Sequence, residues 1–151
     1  MADRHEVYPH HVLRAALRDP FVGDVLAALE VPVAQLQVTL EHRWLAASDT
    51  IEIEEIEAIG VDVATLLAAL NPPYDGPADW GDLRLAATTS DLLVATLRAR
   101  AGMPHGRTHS GHLLLALLGS RDAIVAGTFA DHGLRARDAR PLVRKWGRRA
   151  D

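Results

Sequence analysis

The sequence predicts an all-α fold, and three observations carry that expectation. The most apolar run, Ser110-Gly111-His112-Leu113-Leu114-Leu115-Ala116-Leu117-Leu118, is apolar on nearly every face, as a helix must be if neighbours cover it all round. Proline, glycine and aspartate punctuate the chain at intervals suited to helices of ordinary length. No sustained alternating pattern bounded by turns marks a strand; the short run Ile51-Glu52-Ile53-Glu54 alternates, but its flanking caps favour helix.

Taken in order, Pro9 opens a helix to about Arg18, because proline has no N–H to leave unsatisfied in a first turn. Asp19-Pro20 restarts the chain as an N-cap followed by a first-turn proline. The next helix carries Phe21, Val22, Val25, Leu26 and Leu29 on one face. Pro32 separates it from a third, Val33 to about Ala46, with Leu36, Leu40 and Trp44 in one stripe. Asp49 and Glu52 have capping-box spacing, which places a short helix over 50–59 that stops at Gly60. Asp62 caps another, ending near Leu70. Asn71-Pro72-Pro73-Tyr74-Asp75-Gly76-Pro77 is the strongest breaker and makes 71–79 a linker. The second half begins at about residue 80 with Trp80. Its helices run from Leu85 to Ala101, from a cap at Ser110, from Asp122 to His132, and from near Asp138 with Pro141 in the first turn.

At 151 residues the chain fits one domain with a sizeable core, and either half alone is small for one. No apolar run approaches the roughly 18 residues of a membrane span. The charged start, Met1 to Glu6, leads into no signal-peptide core, so a cytoplasmic protein is expected. The absence of cysteine excludes disulfides, thiolate catalysis and Cys-ligated zinc. A single lysine among many arginines, with abundant alanine, suggests a GC-rich genome of the actinobacterial kind.

Charge is unevenly spread. Residues 1–75 hold 4 arginines against 13 carboxylates, and residues 76–151 hold 12 basic against 7 acidic side chains. Glu52, Glu54, Glu55 and Glu57 concentrate the acid. Arg135, Arg137, Arg140, Arg144, Lys145, Arg148 and Arg149 concentrate the base. Two solvated helix faces that attract each other explain this; a basic tail for nucleic acid is the sharper alternative.

The chain also repeats itself. His11–Leu17 aligns with His112–Leu118. After two inserted residues, Val22-Gly23-Asp24-Val25-Leu26 aligns with Val125-Ala126-Gly127-Thr128-Phe129. A weaker echo relates residues 56–66 to residues 26–36. Chance similarity between Ala/Leu-rich helices is easily obtained, but here the breaks match as well as the apolar positions. Two duplicated units, about 9–70 and 80–149, would pack pseudo-symmetrically around their apolar faces.

The run Gly106-Arg107-Thr108-His109-Ser110-Gly111-His112-Leu113-Leu114-Leu115-Ala116-Leu117-Leu118, followed by a helix, a Gly-Leu turn and another helix, resembles the N-terminal (Clp R) repeat domain of Clp-type AAA+ unfoldases. The resemblance covers most of the chain and is strongest over residues 83–146. It implies two tandem helical repeats and a protein-binding role. Two features depart from it. Where the family has Gly-Thr-Glu-His, this chain has His109-Ser110-Gly111-His112 and Tyr8-Pro9-His10-His11, so Gly111 and His10 replace acids that in some relatives help bind phosphoarginine. The first repeat is also expected to lack its opening helix, since little chain precedes His11. There is no Gly-Lys-Ser/Thr phosphate loop, hence no ATPase engine in this chain.

Candidate chemistry is sparse. His105, His109 and His112 have helical spacing for metal ligands, but Gly106 and a cap at Ser110 leave only His112 helical. Packed first-turn imidazoles are the preferred reading of His11 and His112, and no metal or cofactor is expected. Ser110 lies in His-Ser-Gly-His rather than a Gly-x-Ser-x-Gly elbow. Trp44, Trp80 and Trp146 fit core or capping positions better than a ligand box. The expected function is therefore a non-catalytic module that binds protein substrates, Clp protease components or small-molecule ligands of that system, as substrate or adaptor receptor or as decoy. Tyr8, His10, His109 and Gly111 would sit at the rim of a groove between the repeats. The alternative is a small nucleic-acid-binding regulator that uses Arg144, Lys145, Arg148 and Arg149.

Overall fold

The computed structural model describes residues 5–47, 63, 67, 83–101 and 107–150. Among these lie seven helices and two short strands: β1 (His5–Val7), α1 (Pro9–Ala16), α2 (Pro20–Ala28), α3 (Val33–Ala47), β2 (Leu83–Leu85), α4 (Ala87–Ala101), α5 (Ser110–Leu118), α6 (Ala123–Asp131) and α7 (Ala136–Ala150). The all-α expectation holds for the architecture, since the strands are three residues each. They pair in parallel, with His5 opposite Leu83, Glu6 opposite Arg84 and Val7 opposite Leu85. The Val7 carbonyl also accepts from the Ala86 N–H and the Thr89 hydroxyl, tying this ladder to the start of α4. The helix expected from Leu85 therefore starts at Ala87. The helices expected over 50–59 and 62–70, the linker 71–79 and Trp80 lie outside the described residues. The exceptions are Val63 and Leu67, both helical.

The helix boundaries follow local chemistry. Pro9 and Pro20 occupy first-turn positions of α1 and α2. The Asp19 and Asp122 carboxylates accept from the N–H groups of Val22 (3.1 Å) and Val125 (3.0 Å), capping α2 and α6 identically. Both helices end on a left-handed residue, Glu30 (φ 63°) and Gly133 (φ 65°). Both also close with a six-to-one hydrogen bond, Val31 N–H to the Leu26 carbonyl (3.0 Å) and Leu134 N–H to the Phe129 carbonyl (3.1 Å). α3 and α7 follow, each 15 residues long. α7 begins two residues before the expected Asp138, so Pro141 lies inside it rather than in its first turn. Burial of Ala139 and Val143 holds that face despite the backbone bond that proline cannot make.

α5 is the central helix that its composition requires. Every residue from Ser110 to Leu117 is buried, and the helix packs against α1, α2, α4, α6 and α7. Leu13, Val22, Leu26, Leu36, Leu40, Leu92, Val125, Phe129 and Val143 complete one core around it. α3 lies on α6, where Arg43 forms a two-pronged pair with Asp131 (2.6 and 2.8 Å) and Thr39 Oγ1 meets His132 Nε2 at 2.8 Å. A Cβ at Gly127 would overlap the Arg43 guanidinium, so this glycine gives that side chain its path across α6. Among the described residues no single helix is long and apolar enough to cross a membrane.

Candidate binding site

His11 and His112 do the same work at the starts of α1 and α5. The Tyr8 N–H donates to His11 Nδ1 at 2.9 Å, and the His109 N–H donates to His112 Nδ1 at 3.0 Å. Each imidazole thus fills the role that a glutamate or glutamine takes in a capping box, reaching back to the cap residue's own N–H. The accepting Nδ1 must be unprotonated, which makes these rings neutral Nε2–H tautomers. Burial pushes the His11 pKa down to about 3, with His10 and Arg14 adding smaller contributions in the same direction. The packed-imidazole reading is what the geometry shows. The cap of α5 is His109, not Ser110: its Nδ1 accepts from the Gly111 N–H at 3.0 Å, and Ser110 is the first helical residue. A histidine ring substituting for a hydroxyl cap is a departure that residue type does not announce.

Around these caps the two helix starts are built from complementary sizes. At α1, His10 and His11 pack edge-on against Trp44, with centroids 4.5 and 4.9 Å away, and Tyr8 stacks on His10 at 5.7 Å. Aligning His11 with His112 sets Gly111 against His10, and counting from the starts of the two 15-residue helices sets Gly147 of α7 against Trp44 of α3. The His109 ring occupies that room. A Cβ at Gly147 would come 2.7 Å from His109 Nε2, and one at Gly111 would come 2.7–2.8 Å from His109, Phe21 and Val143. Phe21 closes over His109 with centroids 5.2 Å apart.

Of the four expected rim residues, Tyr8 is exposed and His109 half-buried, whereas His10 and Gly111 are buried. The structure joins Tyr8 with His10 and His109 with Gly111, each pair at the start of its own helix. His10 Nδ1 is buried with no hydrogen-bond partner among the described residues. Burial lowers the pKa of His10, and the nearby Asp122 carboxylate opposes that shift.

A cleft of about 370 Å³ opens beside Pro9, between α1, α4, α5 and the loop that leads into α6. Thr88, Asp91, Leu92 and Ala95 line one wall; Ala116 and Gly119 to Asp122 line the other. Sequence reasoning missed these residues, because a cleft between helices leaves no periodic signature in any one of them. Asp91, Arg121 and Asp122 supply charge at its edge, over a floor of Leu92, Ala95 and Ala116.

The basic residues Arg144 and Lys145 are exposed on α7 and line a second cleft, with Arg137, Arg140 and Pro141. Arg148 and Arg149 continue the helix, and their side chains lie outside the description. No group of three or more metal-ligating side chains forms among the described residues, which exclude His105. The Nδ1 atoms of His109 and His112 are already engaged as acceptors.

No protein-family model, no curated protein and no solved structure matches the chain.

Proposed function

We propose that the protein is a non-catalytic binding module of the Clp N-terminal type, a single domain of two related helical repeats. In this reading it receives a peptide segment of a protein substrate or of a Clp protease component, as adaptor or decoy. The observation that carries it is the recurrence of the same local devices in the same order. A histidine-braced start, an aspartate-capped second helix, a left-handed stop and a 15-residue third helix occur in α1–α3 and again in α5–α7. The cleft beside Pro9, lined otherwise by residues 88–122, supports the reading with an apolar floor and charged edges, a composition suited to a peptide.

The test is affinity capture from the native host's lysate at low and high salt, with bound protein and nucleic acid both identified. Clp ATPase, Clp peptidase or Clp substrates should be retained at high salt. They should be lost from Ala95→Trp, which fills the cleft from a half-buried position, in a variant that melts like the parent. Nucleic acid at low salt with no Clp component at either salt would overturn the reading.

A further inference from the structure

The cations of α7 form a site of their own, independent of the cleft beside Pro9. Arg137, Arg140, Arg144 and Lys145 fall at helical spacing on one exposed face, while Ala139 and Val143 bury the opposite one. With Pro141 the four line a cleft of about 470 Å³. Arg43 and Asp131 form the ion pair found among the described residues, and none of these four cations has such a partner there. Asp138, the one carboxylate within α7, forms no ion pair with them.

We propose that this cleft docks an acidic segment of a partner protein. Three features point to carboxylates on a peptide rather than to a nucleic-acid backbone. The stretch from Arg137 to Lys145 rises only about 12 Å at ~1.5 Å per residue, which matches about four residues of extended peptide. A duplex would run far beyond it, against a chain whose net charge is −4. Among the described residues the cleft lining holds no aromatic ring on which a base could stack. Arginine, three of the four cations, pairs through two parallel N–H donors with carboxylates as it does with phosphates, and what favours a peptide is the apolar bed that its aliphatic stem and Pro141 give a peptide backbone.

The test measures fluorescence anisotropy of the full-length protein with a labelled Glu-Ser repeat peptide, its Lys-Ser counterpart and a labelled DNA duplex. The Glu peptide should bind at low salt and the Lys peptide should not. Arg140→Glu with Arg144→Glu should weaken Glu-peptide binding by about tenfold or more without shifting the melting temperature, since both side chains are exposed. If that variant fails to fold, Arg140→Gln with Arg144→Gln should show the same direction of effect. Three outcomes overturn the proposal: no Glu-peptide binding at low salt, binding unchanged in the folded variant, or tighter binding of the duplex than of the peptide.

Discussion

The His109 backbone N–H is held by the Nδ1 of His112 at 3.0 Å, with the same arrangement at Tyr8 and His11. His112 is 1% exposed, so losing its ring removes an acceptor and opens a void beneath the cap. His112→Ala should destabilise the protein by about 2–4 kcal/mol in urea unfolding, combining the orphaned donor with the cavity. His112→Gln restores an acceptor at the capping-box position and should recover part of the loss. Equal destabilisation by Ala and Gln would show that packing, not the hydrogen bond, is what the imidazole supplies.

The same burial makes stability depend on pH. A buried histidine whose pKa falls from 6.5 to about 3 on folding binds its proton more readily in the unfolded chain. Its contribution is complete above pH 6.5 and drains away as the pH falls towards 3, with a slope of up to about 1.4 kcal/mol per pH unit. The shift of His10 has the same sign. Thermal melts should show a falling melting temperature below pH 6.5, and His11→Gln should flatten that profile between pH 6 and 4 relative to the parent. A parallel profile in the variant would place the acid sensitivity elsewhere.

In the proposed Clp-type reading Gly111 would stand where that family carries a glutamate, yet a Cβ there would lie 2.7–2.8 Å from His109, Phe21 and Val143. Gly111→Glu should therefore fail to fold rather than create an acidic rim. Gly111→Ala should cost about 1–3 kcal/mol by overpacking. Phe21→Ala made with Gly111→Ala should cost less than the sum of the two single changes, because the clash with the phenyl ring is then gone. Strict additivity in a double-mutant cycle would argue against that contact.

The helices were legible because their punctuation is local. Asp19-Pro20, Asp122 and Gly133 each act on the backbone within a few residues. What escaped the sequence is what depends on distant partners. β1 and β2 are too short to alternate, and each is completed only by the other. Gly111 reads as a helix-start glycine open to solvent until Phe21 and Val143 are brought against it. Pro141 suggests a first turn, but the burial of Ala139 and Val143 overrides the local preference. Of the candidate site, the cationic face of α7 could be seen in the spacing of its arginines. The cleft beside Pro9 could not, since four elements contribute to it.

Leu115 tests the central position of α5. It is 5% exposed and surrounded by the core. Leu115→Asp places a carboxylate in this apolar core, and the charge must either be neutralised or open the structure. Circular dichroism should show loss of the cooperative melt, while Leu115→Met should retain it. A cooperative transition unchanged by the aspartate would remove α5 from the interior.

The two helix stops make opposite demands on one backbone conformation. Glu30 at φ 63° carries a side chain in the left-handed region, whereas Gly133 at φ 65° has none and meets no atom within 4 Å of an added Cβ. The second site therefore isolates conformational strain from packing. Gly133→Ala should destabilise by about 1 kcal/mol, and Glu30→Gly should stabilise by a similar amount, because glycine enters this region without steric penalty. Both closing bonds, Val31 to Leu26 and Leu134 to Phe129, require that conformation, so neither substitution should change the helix boundaries. Chemical denaturation at a single pH distinguishes the outcomes. Opposite signs are the expected result, and a Glu30→Gly variant less stable than the parent would mean that the Glu30 side chain contributes an interaction outweighing its strain.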